Sequence, residues 1–214
     1  MIRSPIHLLT PVFFDRDPRP VARSLLGKLL IRKVGRRRLV GRIVETEAYL
    51  GAGDDAAHSA AGKTKRNAVL WGPPGYAYVY FIYGNHYCLN VSCLPDGQAG
   101  CVLFRALEPV EAIEDMAAAR GITLSANPSL RSISSGPGRL CEALGITRDR
   151  DNGKDLTSAK SDLQLGEDGY RVRRLVVSQR IGITKSTAEP LRYALAENAF
   201  VSAPRLPALP PVRR

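Results

Sequence analysis

The sequence lacks the features of a membrane-spanning or exported chain. None of its apolar runs approaches the roughly 20 residues that a helix needs to cross a bilayer. The N-terminal stretch MIRSPIHLLTPVFF has only a short apolar run and no small-residue cleavage site, so it does not have the form of a signal peptide. We therefore expect a cytoplasmic protein in a reducing compartment.

Metal-binding spacings are also missing. The four cysteines, Cys88, Cys93, Cys101 and Cys141, form no CxxC pair and combine with no histidine in a zinc-binding spacing. Cys88 and Cys93 belong to the same predicted strand, which is a poor geometry for binding one metal ion. We expect four buried free thiols rather than a metal site or disulfides.

Acidic residues are scarce relative to basic ones. The chain has 31 Lys and Arg against 20 Asp and Glu, a formal net charge of +11. A net charge of this size indicates the kind of binding partner rather than the fold. The first candidates are nucleic acid and an anionic membrane surface. With 44% hydrophobic residues in a length of 214, the chain can bury one sizeable core. We expect a single domain over residues 1–203 and a mobile, proline-rich tail over 204–214.

The order of predicted elements favours an α+β fold. Asp17 and Pro18 are typical of a helix start, and KLLIRKV and LVGRIVETEAYL predict two strands joined by GRRR. A short helix is expected over residues 54–59, and EPVEAIEDMAAARG predicts a longer one with Pro109 near its first turn. Because successive strands follow short turns, we expect a mixed or antiparallel curved sheet with surrounding helices and a protruding hairpin.

Aromatic residues make up only 7% of the chain, yet they cluster in the predicted hairpin YVYFIYGNHYCLN. Strand alternation places Tyr76, Tyr78 and Tyr80 on one face, with Phe81 on the other and Tyr83 beside the Gly-Asn turn. Core packing is the favoured interpretation for Tyr76, Tyr78 and Phe81. Tyr80 and Tyr83 are better candidates for function, because stacking a base on an aromatic ring contributes about 1–3 kcal/mol and inserted apolar wedges unstack base steps.

Two carboxylates and a phenol alternate in VETEAY. Glu45, Glu47 and Tyr49 share one face if this segment is a strand, and a solvated face is the simplest interpretation. If the face lines a cleft, one carboxylate can act as a general base, and the alternation does not say which. Arg105 lies in the apolar segment CVLFRAL and requires an anionic partner.

Other polar candidates lie in the loop that follows. A lone loop histidine such as His58 is usually a surface or capping residue, and without an HxE and PCxxC signature it argues against a zinc deaminase. Lys63, Lys65 and Arg66 lie within the short stretch GKTKRN, which suits DNA phosphate contacts or else forms a solvated loop.

Taken together, VETEAYLGAGDDAAHS, KTKRN, YVYFIYGNHYCLNVS and CVLFRALEP resemble, in this order and spacing, the alkyladenine (3-methyladenine) DNA glycosylase family of the mammalian alkylpurine type. The match is strongest over residues 41–109 and continues more weakly through SGPGRLCEALGI, SQRIGI and PLRYA. The resemblance implies a monofunctional DNA glycosylase that initiates base excision repair by flipping and excising 3-methyladenine, 7-methylguanine or hypoxanthine. It implies a monomer on duplex DNA, nucleoid-associated, with no membrane, metal or cofactor.

The resemblance also assigns catalytic roles by position. Glu47 falls on the general base that activates water for attack at C1′, and Arg105 and the main-chain carbonyl of Ile181 fall on groups that hold that water. Two alternatives stay open on the residues alone. One is a non-catalytic nucleic-acid binder that uses the basic turns and the hairpin, and the other is a nuclease or deaminase.

The substrate-binding roles follow in the same way. Tyr49 and Tyr80 fall on the rings that stack on the flipped purine, with His58 against the same base. Asn90 matches the residue that crowds the amino group of guanine, and Tyr83 matches the wedge that fills the gap in the DNA. The tip dipeptide Asn85-His86 departs from the larger apolar and aromatic residues expected there.

Overall fold

A long antiparallel sheet forms the centre of the molecule in the computed structural model, which describes residues 4–124 and 129–202. The nine strands of this sheet have the order β1-β7-β2-β3-β6-β5-β4, with β9 pairing with β3 and β8 pairing with β9. They are β1 (His7–Leu8), β2 (Leu29–Val34), β3 (Arg37–Tyr49), β4 (Ala77–Ile82), β5 (His86–Cys93), β6 (Gly100–Glu111), β7 (Leu163–Glu167), β8 (Leu175–Ser178) and β9 (Arg192–Leu195).

Short helices surround the sheet, and together they confirm the single α+β domain expected from the sequence. Among the described residues, no helix is long and apolar enough to cross a membrane. The proposed tail over 204–214 lies outside the described residues. The α-helices are α1 (Pro18–Leu25), α2 (Ile113–Ala119), α3 (Arg131–Ser134), α4 (Pro137–Ala143) and α5 (Arg148–Asp151), and 3₁₀ turns cover Pro11–Phe13 and Ala68–Trp71.

The start of α1 shows how local sequence sets an element boundary. The Asp17 side chain accepts a hydrogen bond of 2.8 Å from the Arg19 N–H, and Pro18 occupies the first helical position. Val21, Ala22 and Leu25 then lie fully buried against the sheet. The predicted cap and first turn are therefore confirmed.

The longest strand pair, β3 and β6, lies at the centre of the sheet and carries the polar residues of interest. Its register shifts on both sides of Glu45, where β9 also pairs with β3. A bulge of this kind re-aims side chains that simple alternation would place elsewhere. It lets Glu45 and Glu47 both lie in the interior instead of on a wet surface.

Two helix predictions are corrected by the fold. Residues 54–59 form turns rather than a helix, because the Asp54 carboxylate accepts the N–H groups of Leu50 and Ala56 and so competes with helical bonds. Pro109 lies in β6, paired with Gly41, and the helix begins only at Ile113. The strand ladder with β3 therefore overrides the local helix signal of EPVE.

The cysteine expectation is confirmed. All four thiols are free and buried, and three of them lie on the central strands β5 and β6. Among the described residues, no group of three or more His, Cys, Asp or Glu side chains is arranged to hold a metal ion. Cys93 and Cys141 pack as small apolar side chains of the core, and Cys88 and Cys101 also line the cavity described below.

Candidate active site

A cavity of about 470 Å³ opens beside the aromatic hairpin. Its walls come from the β4–β5 hairpin, the end of β3 with the turns that follow it, strand β6, the start of α4, and the loop between β8 and β9. This volume is in the range of small-molecule pockets. The lining side chains with polar or aromatic groups include Tyr49, Asp55, His58, Tyr78, Tyr80, Tyr83, Cys88, Asn90, Cys101, Arg105, Thr184 and Lys185.

A buried ionic cluster lies behind the inner wall of the cavity. Glu45 and Glu47 both have no exposed surface, so the interpretation of VETEAY as a solvated face is wrong. Arg105 joins them, with its Nε 3.0 Å from Glu45 Oε1 and its Nη1 3.2 Å from Glu47 Oε1. Glu45 also accepts bonds from Arg192 Nε at 2.7 Å and from the Ser202 N–H. The anionic partner that Arg105 required is therefore this pair of carboxylates.

Glu47 is held by three groups that also line the cavity. Its Oε1 accepts a bond of 2.8 Å from the Ile181 N–H, and its Oε2 accepts one of 3.0 Å from the Tyr49 hydroxyl. The third group is the Arg105 guanidinium. The carboxylate thus lies directly beneath the inner wall, fixed in one orientation, and only these partners separate it from the cavity.

The environments of the two carboxylates shift their pKa values in opposite directions. Burial raises the pKa of Glu47 above its ordinary value, and the charge of Arg105 and the hydrogen bonds from Ile181 and Tyr49 offset this only in part. Burial acts on Glu45 as well, but Arg105 and Arg192 together outweigh it and lower the pKa of that carboxyl. The site therefore favours the charged form of Glu45, whereas burial shifts Glu47 toward its protonated form.

Arg180 and Asp54 form a second buried pair that the sequence analysis missed. The guanidinium contacts both carboxylate oxygens, at 2.6 and 2.8 Å, and donates to the Ala48 carbonyl. Its Cζ also lies 4.7 Å from the centre of the Tyr49 ring. This pair joins the loop that carries Ile181 to the end of β3. The single charged residue of the SQRIGI segment was the available signal.

The aromatic wall brings together residues predicted for base binding. The His58 ring packs against Tyr80 with 4.4 Å between centres, and its Nδ1 lies 2.9 Å from the Tyr78 hydroxyl. Burial and the nearby charge of Arg66 lower the pKa of His58, so the imidazole is neutral near neutral pH. Burial raises the pKa of Tyr78 to about 12 and keeps its hydroxyl protonated. Tyr78 packs as expected, but it is also part of the cavity.

Asn90 lies on β5 at the inner end of the cavity and is almost fully buried. Its amide nitrogen donates to the Tyr78 carbonyl at 3.1 Å, and its oxygen lies 3.8 Å from the Cys101 sulfur. Both ends of the amide therefore have a partner. The side chain is a fixed obstacle in the cavity rather than a mobile one.

Phe81, near the outer end of the hairpin, does not pack in the core, so that expectation is wrong. Ala77 and Val79 on the same strand face are fully buried, but Phe81 is 45% exposed and packs mainly on Tyr87. Tyr83 follows at the tip and is 77% exposed, in agreement with its predicted position.

The basic loop lies outside the cavity. Lys63, Lys65 and Arg66 are all exposed, and none of them lines the cavity wall. Asn67, which the sequence analysis missed, is buried and closes the loop: it accepts from the Thr64 N–H at 2.7 Å and donates to the His58 carbonyl at 2.8 Å. The cations are thus carried on an ordered turn that also carries His58.

An aromatic cavity above a fixed, proton-accepting carboxylate defines the class: this arrangement suits an enzyme that holds a flat ring and hydrolyses a bond beside it. The comparisons are more specific. A sequence profile of the methylpurine-DNA glycosylase (MPG) family matches residues 12–199. The chain therefore belongs to this family and is a DNA glycosylase of alkylation repair, as the resemblance implied.

Full-length bacterial relatives agree. A protein of Koribacter versatilis (strain Ellin345) is 64% identical over 208 residues, which cover 96% of this chain and 99% of the relative. Relatives from Burkholderia lata and Carboxydothermus hydrogenoformans are 45% and 44% identical over 203 and 195 residues, covering 94% and 91% of this chain and 94% and 98% of their own lengths. Each is named provisionally as a 3-methyladenine DNA glycosylase.

Proposed function

We propose that the chain excises alkylated or deaminated purines from duplex DNA by flipping the damaged nucleotide into the cavity and directing one water molecule at C1′. The observation that carries this proposal is the position of Glu47, which is buried behind the cavity wall and bonded to three groups of that wall. The lesions proposed are 3-methyladenine, 7-methylguanine and hypoxanthine. The product is an abasic site, the first intermediate of base excision repair.

The cavity wall supports binding of an electron-poor base. The aromatic side chains of Tyr49 and Tyr80 both line the cavity, and the neutral His58 adds no positive charge. An N3- or N7-alkylated purine is a cation, and a cation over an aromatic face gains about 0.5–2 kcal/mol. We propose that Tyr49 and Tyr80 stack on the base, with His58 against its edge.

The reaction then requires little more than a positioned water. An alkylated purine is already a good leaving group, so the protein has to support the developing positive charge on the sugar and accept a proton from water. In this proposal Glu47 is the general base. Arg105 and Ile181 both line the cavity and contact Glu47, and we propose that the Arg105 guanidinium and the Ile181 main-chain carbonyl hold the water in line with C1′. Neutral hypoxanthine additionally needs protonation as it leaves, which predicts a bell-shaped pH profile for that substrate.

Two further steps are selection of the base, which we assign to Asn90, and extrusion of the nucleotide, which we assign to Tyr83. Asn90, whose amide is fixed at both ends, excludes the exocyclic amino group of normal guanine. Tyr83 at the hairpin tip enters the minor groove and fills the space left by the flipped nucleotide, which offsets part of an extrusion cost of a few kcal/mol. Lys63, Lys65 and Arg66 contact DNA phosphates. The proposed enzyme acts as a monomer, without metal or cofactor.

One assay tests the proposal. Duplex DNA with a single 3-methyladenine or hypoxanthine is incubated with the protein in the presence of a metal chelator. The expected products are the free base and an intact strand that breaks only after alkali. A strand cut without alkali would favour a lyase or nuclease, and lesion binding without base release would favour a binding protein.

A further inference from the structure

The tip of the aromatic hairpin has almost no packing of its own. The strand ladder ends at the pair Ile82 and His86, and the three residues between them are exposed. Tyr83 and Gly84 reverse the chain in left-handed conformations, with φ of 56° and 74°. A Cβ built on Gly84 would meet no atom within 4 Å. Tyr83 lines the cavity and its hydroxyl approaches Gly182, but its side chain is largely exposed. The position of the tip therefore depends mainly on the contacts of its two base residues, Ile82 and His86.

His86 provides such an attachment. Its Nδ1 lies 3.0 Å from Glu142 Oε1 on α4, and the other Glu142 oxygen is paired with Arg120 at the end of α2. Since a carboxylate can only accept, the His86 Nδ1 carries the proton and donates. One residue of the hairpin is thus joined to two helices through a single carboxylate.

The packing of His86 against α4 supports the same attachment. A Cβ built on Gly138 would lie 2.9 Å from the His86 Cγ and 3.1 Å from its Nδ1. The imidazole therefore lies directly against the first turn of α4, in space that only glycine leaves open. Pro137, the neighbouring residue, lines the cavity. Side-chain pairing and close packing act on the same ring.

From this geometry we propose that His86 is a positioning residue for the wedge: the His86–Glu142–Arg120 connection holds the hairpin tip so that Tyr83 enters the DNA at a fixed height above the cavity. This inference rests on the proposed function of Tyr83 in nucleotide flipping. His86 does not touch the base in this account and takes no part in bond cleavage. We call the His86–Glu142–Arg120 connection the tether. It takes the place of the packing that a larger apolar side chain would provide at the tip.

The tether predicts an effect limited to the extrusion step. The paired side chains are partly exposed, 40% for His86 and 35% for Glu142. A pair of that kind supports a change of about fivefold, equivalent to ~1 kcal/mol, rather than a complete loss. A lesion that is already unpaired needs less work to extrude, so it depends less on the wedge. The dependence on base pairing separates this role from a general loss of structure.

The experiment uses the full chain with H86A, E142Q and the double variant on two duplexes. In one the hypoxanthine is paired with cytosine, and in the other it lies opposite an abasic site. We expect both single variants to slow single-turnover release about fivefold on the paired lesion and far less on the unpaired one. We expect the double variant to be no worse than H86A, and H86Q, which keeps a donor, to recover part of the rate.

The matched control is E111Q. Glu111 has an exposure of 37%, close to that of Glu142, and pairs with Arg38 at 2.8 Å, at the end of β6 and away from the cavity lining. It should leave both rates unchanged, and thermal unfolding checks that each variant is folded. Equal losses on both duplexes, or no loss on either, would overturn the positioning role.

A second readout separates this inference from the proposed function. The fluorescence of 2-aminopurine placed beside the lesion reports distortion of the duplex on binding, whether or not the base is released. If the wild type distorts DNA but releases no base, the proposed function falls, and the fluorescence of H86A still decides the role of His86. An H86A signal equal to that of the wild type would overturn the inference.

Discussion

Glu45 and Glu47 share one guanidinium, that of Arg105, yet their pKa values are displaced in opposite directions. Both side chains are fully buried, and burial alone disfavours the charged form of each. Glu45 has a second cationic partner, Arg192, whose Nε donates to it and whose charge helps to lower its pKa. One strand therefore carries a structural carboxylate and a chemically responsive one, two residues apart.

The first prediction concerns Glu45 and acid stability. Its lowered pKa contributes stability above the ordinary value of 4.5, and this stability is lost as the pH falls through the folded-state pKa. Glu45→Gln should therefore reduce the free energy of unfolding at neutral pH by about 3–5 kcal/mol, because it removes a buried negative charge that Arg105 and Arg192 both contact. Urea unfolding at neutral and acidic pH measures this. A cost that does not shrink in acid would contradict the assignment.

The second prediction concerns Glu47, whose pKa is raised rather than lowered. Its contribution to stability therefore changes with pH in the opposite direction to that of Glu45. Its raised pKa gives a stability that is present at low pH and is lost as the pH rises through the folded-state pKa. Glu47→Gln should therefore leave stability at neutral pH unchanged or increased. The same variant should slow base release by about 10²–10⁴-fold while lesion binding is retained. Single-turnover kinetics and urea unfolding of one preparation test both; an unchanged rate would refute the general-base role.

The third prediction concerns the wedge. Tyr83→Ala should weaken nucleotide flipping, because the vacated space in the DNA is no longer filled. Tyr83→Phe keeps the ring and serves as the matched control. The measurement is the fluorescence of 2-aminopurine beside the lesion on binding. Normal fluorescence changes with the alanine variant would count against the wedge.

The fourth prediction concerns discrimination against guanine. Asn90→Ser removes the amide that is fixed between Tyr78 and Cys101, and should admit bases with an exocyclic amino group. We expect release of 7-methylguanine and of normal guanine to rise relative to hypoxanthine. Competition assays with defined duplexes measure the ratio. Unaltered discrimination would remove Asn90 from this role.

The fifth prediction concerns the basic loop. DNA affinity should fall with salt along a log–log line, and each phosphate contact removed should reduce the slope by about one. Replacing Lys63, Lys65 and Arg66 by glutamine should thus reduce it by about three. Lys160, an exposed cation that does not line the cavity, provides the control substitution. A slope unaffected by the loop variant would show that these side chains are only solvated.

Much of the local structure could be predicted from the sequence. The start of α1, the β2–β3 hairpin and the aromatic β4–β5 hairpin all depend on neighbouring residues, and all were predicted. Pro109 was assigned wrongly because its pairing with Gly41 joins distant parts of the chain, and residues 54–59 because a local side-chain contact replaces the helical bonds. Pairing with β3 extends β6 through Pro109, and the Asp54 side chain holds the turns that replace a helix.

The site, too, could be predicted only where it depends on neighbouring residues. Alternation indicated that Glu47 and Tyr49 share a face, but neither their burial nor the choice between the two glutamates could be derived from it. Both depend on distant partners: Ile181 is 134 residues from Glu47, and Arg180 is 126 residues from Asp54. A single sequence does not reveal which remote arginine a carboxylate will meet. The resemblance to a known family supplied that choice.

The hydrogen bond from Tyr49 to Glu47 connects the cavity wall to the carboxylate beneath it. The ring forms part of the cavity wall with Arg180 near its face, and its hydroxyl is a donor to the carboxylate. Any sideways movement of the ring to fit a wide base must therefore stretch the bond that orients Glu47. We therefore expect the fit of a ring against Tyr49 to affect the orientation of the Glu47 carboxylate beneath it.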